Sequence, residues 1–123
     1  MQVRDVLSIL SGIVVSSQAN PDEEVHRGFS ADLMSDVLRF GHEGGLLITG
    51  LTNPQVIRTA EMLGIRVLLF VRSKLPSADS VALAEEAGVT LLATRYTMYE
   101  ASGLLYQAGL PGLGPGGEYT QTP

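Results

Sequence analysis

Residues 46–97 read LLITGLTNPQVIRTAEMLGIRVLLFVRSKLPSADSVALAEEAGVTLLATRYT. Three short apolar runs stand in this stretch: Leu46-Leu47-Ile48-Thr49, Val67-Leu68-Leu69-Phe70-Val71, and Val89 to Ala93. A segment of helical composition follows each. Asn53-Pro54 supplies a cap and then a proline at the first helical position, where its missing N–H costs nothing, and Gly64 closes the helix predicted over 54–63. Ser77 or Asp79 opens a second helix that ends at Gly88. Thr97-Met98-Tyr99-Glu100 has the S/T-x-x-E spacing of a capping box and starts a third helix over 97–108. Val67 to Val71 is apolar at consecutive positions, hence on both faces, as a strand buried in a parallel sheet requires. Three strand–helix units joined by turns this short predict right-handed crossovers. The fold class is α/β: a single three-layer domain with a mostly parallel sheet covered by helices on both faces.

Upstream, Val3, Val6, Leu7 and Leu10 recur at helical spacing before Gly12, and Ile13-Val14-Val15 is a brief strand. Ser16 to Glu24, with Asn20-Pro21-Asp22, has loop chemistry, and Val25 to Phe29 reads as another short strand. Ser30 is then a plausible N-cap for a helix over 31–40, with Leu33, Val37 and Leu38 on its apolar face and Gly41 as its stop. Downstream, residues 109–123 hold five Gly and three Pro and no apolar period. The reading is a domain over 1–109 and a flexible Gly/Pro-rich tail over 110–123.

Composition narrows the chemistry. The chain has 123 residues, 8 Lys+Arg against 13 Asp+Glu, a formal charge of −5 and no Cys. Thiol nucleophiles, Cys-ligated zinc and iron–sulfur clusters are thereby excluded. A single lysine and an acidic balance give no basic stripe for a phosphate backbone, so no nucleic acid is expected as a partner. No uncharged run reaches the ~20 apolar residues of a membrane span, and Arg4 and Asp5 interrupt the place where a signal peptide needs its apolar run. No membrane partner and a cytoplasmic location are expected. Gly112-Leu113-Gly114-Pro115-Gly116-Gly117 matches G-x-G-x-x-G, but a helix precedes it and none follows, so it lacks the context of a dinucleotide turn. Lys74 has no glycine-rich loop before it, so there is no P-loop. His26 and His42 stand in no metal-ligand spacing, and Asp22-Glu23-Glu24 reads as a solvated acidic loop. No metal, cofactor or catalytic residue is assigned.

The informative positions are distributed. In an open α/β sheet, ligands bind beyond the carboxyl ends of the strands. The loops expected there gather Thr52, Asn53, Arg72, Ser73, Lys74, Thr94 and Arg95, with three of the chain's eight basic residues among them. The same residues also read as ordinary caps and solubilising charges.

Two segments carry a resemblance. Gly64 to Val71 followed by Leu83 to Thr94 resembles the DRTGG domain and the related N-terminal domain of HPr kinase/phosphorylase. Residues Asp22 to Phe29, and the helical segment from Ser30 to Leu38, sit where that family has its name-giving motif and the helix after it. Asp22 and Gly28 match the motif, whereas Glu23, His26 and Arg27 depart from it. The resemblance implies a module that otherwise occurs attached to phosphotransacetylase, to pyrophosphatases with CBS domains and to HPr kinase, with the catalytic machinery in other domains. The expected function is a stand-alone, non-enzymatic regulatory or assembly module, self-associating as a homodimer and sensing a small anionic metabolite or nucleotide, with a metabolic enzyme as a further partner. Met34 and Phe40 of helix 31–40 are the candidate contributors to the dimer contact. The alternative is a small enzyme that clamps a phosphorylated substrate with Arg72, Lys74 and Arg95.

Overall fold

The structure, a computed structural model, describes residues 1–17 and 19–122; Gln18 of the predicted loop and Pro123 of the predicted tail lie outside the described residues. Its elements run α1 (Val3–Leu10), β1 (Ile13–Val14), β2 (Arg27–Ser30), α2 (Met34–Phe40), β3 (Gly45–Thr49), α3 (Pro54–Leu63), β4 (Val67–Phe70), α4 (Ala78–Ala87), β5 (Thr90–Ala93) and α5 (Met98–Gln107). The five strands form one sheet in the order β1-β5-β4-β3-β2. β2 to β5 are parallel, and only β1 runs antiparallel, against β5.

The three central strands are buried throughout, and their alternation feeds two cores. Leu47, Leu68, Phe70 and Leu91 face α2, α3 and α4 through Val37, Val56, Ile57 and Ala84. Leu46, Ile48, Val67, Leu69 and Leu92 face α1 and α5 through Val3, Val6, Leu10, Ala101 and Leu105. The layering follows from handedness. The chain steps β2, β3, β4, β5 in one direction, so three right-handed crossovers place α2, α3 and α4 on one face. α5 returns across the other face as far as β3 and β2.

Helix starts follow the local chemistry in part. Asn53 Oδ1 accepts from the Val56 N–H at 3.0 Å, with Pro54 at the first helical position, and Ser77 Oγ accepts from Ser80 N–H at 3.3 Å. Thr97 holds the N-cap position of α5, but its hydroxyl makes no cap bond, so the predicted capping box does not form.

Two corrections concern the edge at β2. Ser30 pairs with Ile48 in the parallel ladder and Ala31 N–H continues to Ile48 O, so Ser30 ends a strand and does not cap a helix. α2 therefore starts at Met34, and of the predicted apolar stripe only Val37 is buried; Leu33 and Leu38 are 62% and 49% exposed, while Met34 and Phe40 are half-buried. The second correction concerns the start of the tail. Leu110 belongs to the core that α1 and α5 share, and Pro111 O accepts from Gly28 N–H at 2.9 Å on the outer edge of β2.

Candidate functional site

The C-terminal ends of the parallel strands present four loops on one edge of the sheet. Lys74, Thr52 and Asn53 line a cleft with the starts of α3 and α4, and its volume is about 370 Å³. Ser73, Thr94 and Arg95 line another cleft of about 530 Å³ together with Tyr96 and the α1–β1 turn. The edge thus gathers the predicted residues but divides them between two openings. Arg72 stands between, and its guanidinium crosses the backbone at Gly50, where a methyl group would lie 2.6 Å from Nη2.

Asp32, which sequence reasoning missed, faces Arg72 there. Its carboxylate accepts from Gly50 N–H at 2.6 Å and from the Thr49 hydroxyl at 3.4 Å. Its position two residues past the end of β2 was the available signal, hidden because residues 31–33 read as helix. Asp32 forms no ion pair with Arg72, and none of Arg72, Lys74 and Arg95 has a carboxylate partner among the described residues. Among the described residues, three cations on one edge thus have no ion-pair partner.

The loop after β4 folds tightly over its neighbour. Arg72 N–H donates to Tyr96 O at 2.8 Å and Ser73 N–H to Thr94 O at 3.0 Å, which holds both residues at φ of about 60°. That left-handed conformation is costly for any residue with a Cβ. Thr94 itself is buried: its hydroxyl donates to Leu10 O at 2.9 Å and accepts from Tyr96 N–H at 3.3 Å. It braces the wall between α1 and the β5–α5 turn. Asn53, at the start of α3, lines the smaller of these clefts, whereas Thr97, at the start of α5, lines neither of the two.

The motif segment lies at the opposite edge, where the parallel strands begin. Asp22 pairs with Arg4, and Glu23 pairs with Arg66 at 3.1 Å. His26 lines a cleft there with Glu24, Glu43 and Gly44. Arg27, one of the departures from the motif, donates to Gly112 O at 2.8 Å. Gly28, one of the matches, has a structural reason: a Cβ would lie 2.9 Å from Leu110 Cδ2, so the missing side chain admits the buried leucine. The structure thus brings Arg27 and Gly28 together with the first residues of the predicted tail, away from the basic rim.

Both histidines belong to the motif edge, since His26 precedes β2 and His42 precedes β3. No group of three or more metal-ligating side chains occurs among the described residues. No described helix is long and apolar enough to cross a membrane.

A mostly parallel sheet, covered on both faces and carrying a cationic rim at its strand ends, defines a three-layer α/β module. The DRTGG domain model matches residues 5–108, and the chain belongs to that family. None of the curated proteins matches it significantly. Among solved structures it is similar to the crystal structure of the CBS and DRTGG domains of the regulatory region of Clostridium perfringens pyrophosphatase, complexed with the activator diadenosine tetraphosphate. That likeness has a TM-score of 0.68 and 19% identity over 89% of this chain, so it is a likeness of fold. The chain spans 47% of that structure.

Proposed function

We propose that this chain is a non-catalytic regulatory module that binds a small anionic metabolite at the C-terminal edge of its sheet and, through self-association, conveys the ligand's presence to a metabolic enzyme. The observation that carries the reading is the set of three basic side chains, Arg72, Lys74 and Arg95, gathered on that edge without a carboxylate partner among the described residues. Unpaired cations beside two helix starts favour an anion. Family membership supports the regulatory part, because the solved relative of the same fold belongs to the regulatory region of an enzyme and was crystallised with an activator.

A thermal-shift screen against phosphorylated metabolites tests the reading, since a ligand at 100 times its Kd stabilises by about 2.7 kcal/mol. Arg72→Ala is expected to weaken the binding of a hit by roughly 1.5–3 kcal/mol, the range for hydrogen bonds to charged groups, with an unchanged melting curve in the absence of ligand. A panel without a single saturating hit would remove the sensing role.

A further inference from the structure

We propose that the cleft between the α1–β1 turn and the loops after β4 and β5 is a nucleotide site, with the base packed against Tyr96, Leu75 and Ile13 and the phosphate held by Arg95. The proposal rests on the anion-binding reading above and specifies which of the two openings binds and what the ligand must contain. At about 530 Å³ the cleft falls within the ~300–1,000 Å³ of small-molecule sites.

Its lining is divided by chemistry. Ile13 and Leu75 are 57% and 60% exposed, and the Tyr96 ring opens onto the same space. Three large apolar side chains left in water within one cleft differ from the single exposed residues that any surface carries. The polar side includes Ser11, Ser73 and Arg95, and among the described residues no carboxylate lines the cleft. A bare phosphate or sugar phosphate would satisfy Arg95 and leave the apolar wall wet. A neutral ring would cover that wall and leave Arg95 unused. A flat base joined to a phosphate meets both halves, and an aromatic side chain offers such a base a stacking surface.

The walls of the cleft are held in shape by the fold itself. The buried Thr94 hydroxyl ties Leu10 O to Tyr96 N–H behind the wall. The three described non-glycine residues at positive φ are Ser11, Arg72 and Ser73; Ser11 and Ser73 line this cleft and Arg72 adjoins it. Strained backbone of this kind persists where the surrounding structure enforces it, and it clusters at binding sites.

Isothermal titration of the full chain with AMP, GMP, CMP, UMP, the matching nucleosides, inorganic phosphate and ribose 5-phosphate tests the proposal. At least one mononucleotide is expected to bind saturably, with its nucleoside and inorganic phosphate each at least tenfold weaker. Arg95→Ala and Tyr96→Ala are expected to weaken that binding at least tenfold, and Tyr96→Phe, which keeps the ring, to retain it. Circular dichroism confirms that each variant is folded. Nucleotide binding that survives Arg95→Ala and Tyr96→Ala but disappears in Lys74→Ala would place the ligand in the neighbouring cleft and overturn the proposal, leaving the anion-sensing reading intact. Failure of every mononucleotide at millimolar concentration would overturn it as well. Ribose 5-phosphate then separates the two ideas: if it binds, anion sensing stands, and if it and the whole panel of phosphorylated metabolites fail, both fall.

Discussion

Thr94 reads in the sequence as one more hydroxyl at a strand end, and in the fold its donor and acceptor are both engaged, by Leu10 O and Tyr96 N–H. Thr94→Val keeps the volume and removes the hydroxyl, leaving a buried carbonyl without its partner. The expected cost is about 1–3 kcal/mol, read as a fall of several degrees in Tm. Glu85 illustrates the opposite environment. The Ser17 hydroxyl, and after it the Ser17 N–H at 2.7 Å from Oε1, hold its carboxyl below the ordinary glutamate value. A carboxyl depressed in the folded state contributes stability that is present above the unfolded-state pKa and lost as pH falls through the folded one. The Tm of the wild type should therefore exceed that of Glu85→Gln near neutral pH, with the gap closing in the acid range. A gap that is constant with pH would show that the Ser17 contact does not discriminate between the charged and neutral forms.

At the scale of elements, β3, β4 and β5 and the helices α3 and α4 were legible because their signals are local. Asn53-Pro54, Ser77, Gly64 and Gly88 each act on backbone within a few residues of themselves. The start of α2 was not legible, because Ser30 and Ala31 are claimed by Ile48, a partner eighteen residues away from Ser30 in sequence but adjacent in the sheet. The docking of Leu110 was hidden for the same reason: its place against Gly28 depends on a strand edge that only the assembled sheet creates. A chain ending at Gly109 loses this buried side chain and the Pro111 bond, and is expected to be destabilised by about 2–5 kcal/mol, the range for removing a buried leucine. A chain ending at Gly114 keeps both and should melt within a few degrees of the full chain. Equal melting of the two truncations, measured by calorimetry, would show that the docking contributes nothing.

At the scale of the whole molecule, the position of the candidate site followed from strand direction alone, since every loop after a parallel strand must emerge at one edge. Its division into two clefts did not, because that depends on the Thr94 brace and on how Arg72 lies across Gly50. The apolar surface away from this edge bears on assembly. α2 buries one side chain completely, Val37, and leaves Leu33 and Leu38 in water beside the half-buried Met34 and Phe40. Leu33, the N-cap of α2, and Leu38 thus form an exposed apolar patch, and a two-fold partner covers the same patch on both copies at once. We therefore expect a mass of two chains by light scattering at micromolar concentration. Leu33→Asp together with Leu38→Asp should give the mass of one chain and leave the far-ultraviolet dichroism unchanged, because neither side chain belongs to a core. A one-chain mass for the wild type would remove self-association from the proposed mechanism. A two-chain mass that persists in the double variant would move the contact to another face of the molecule.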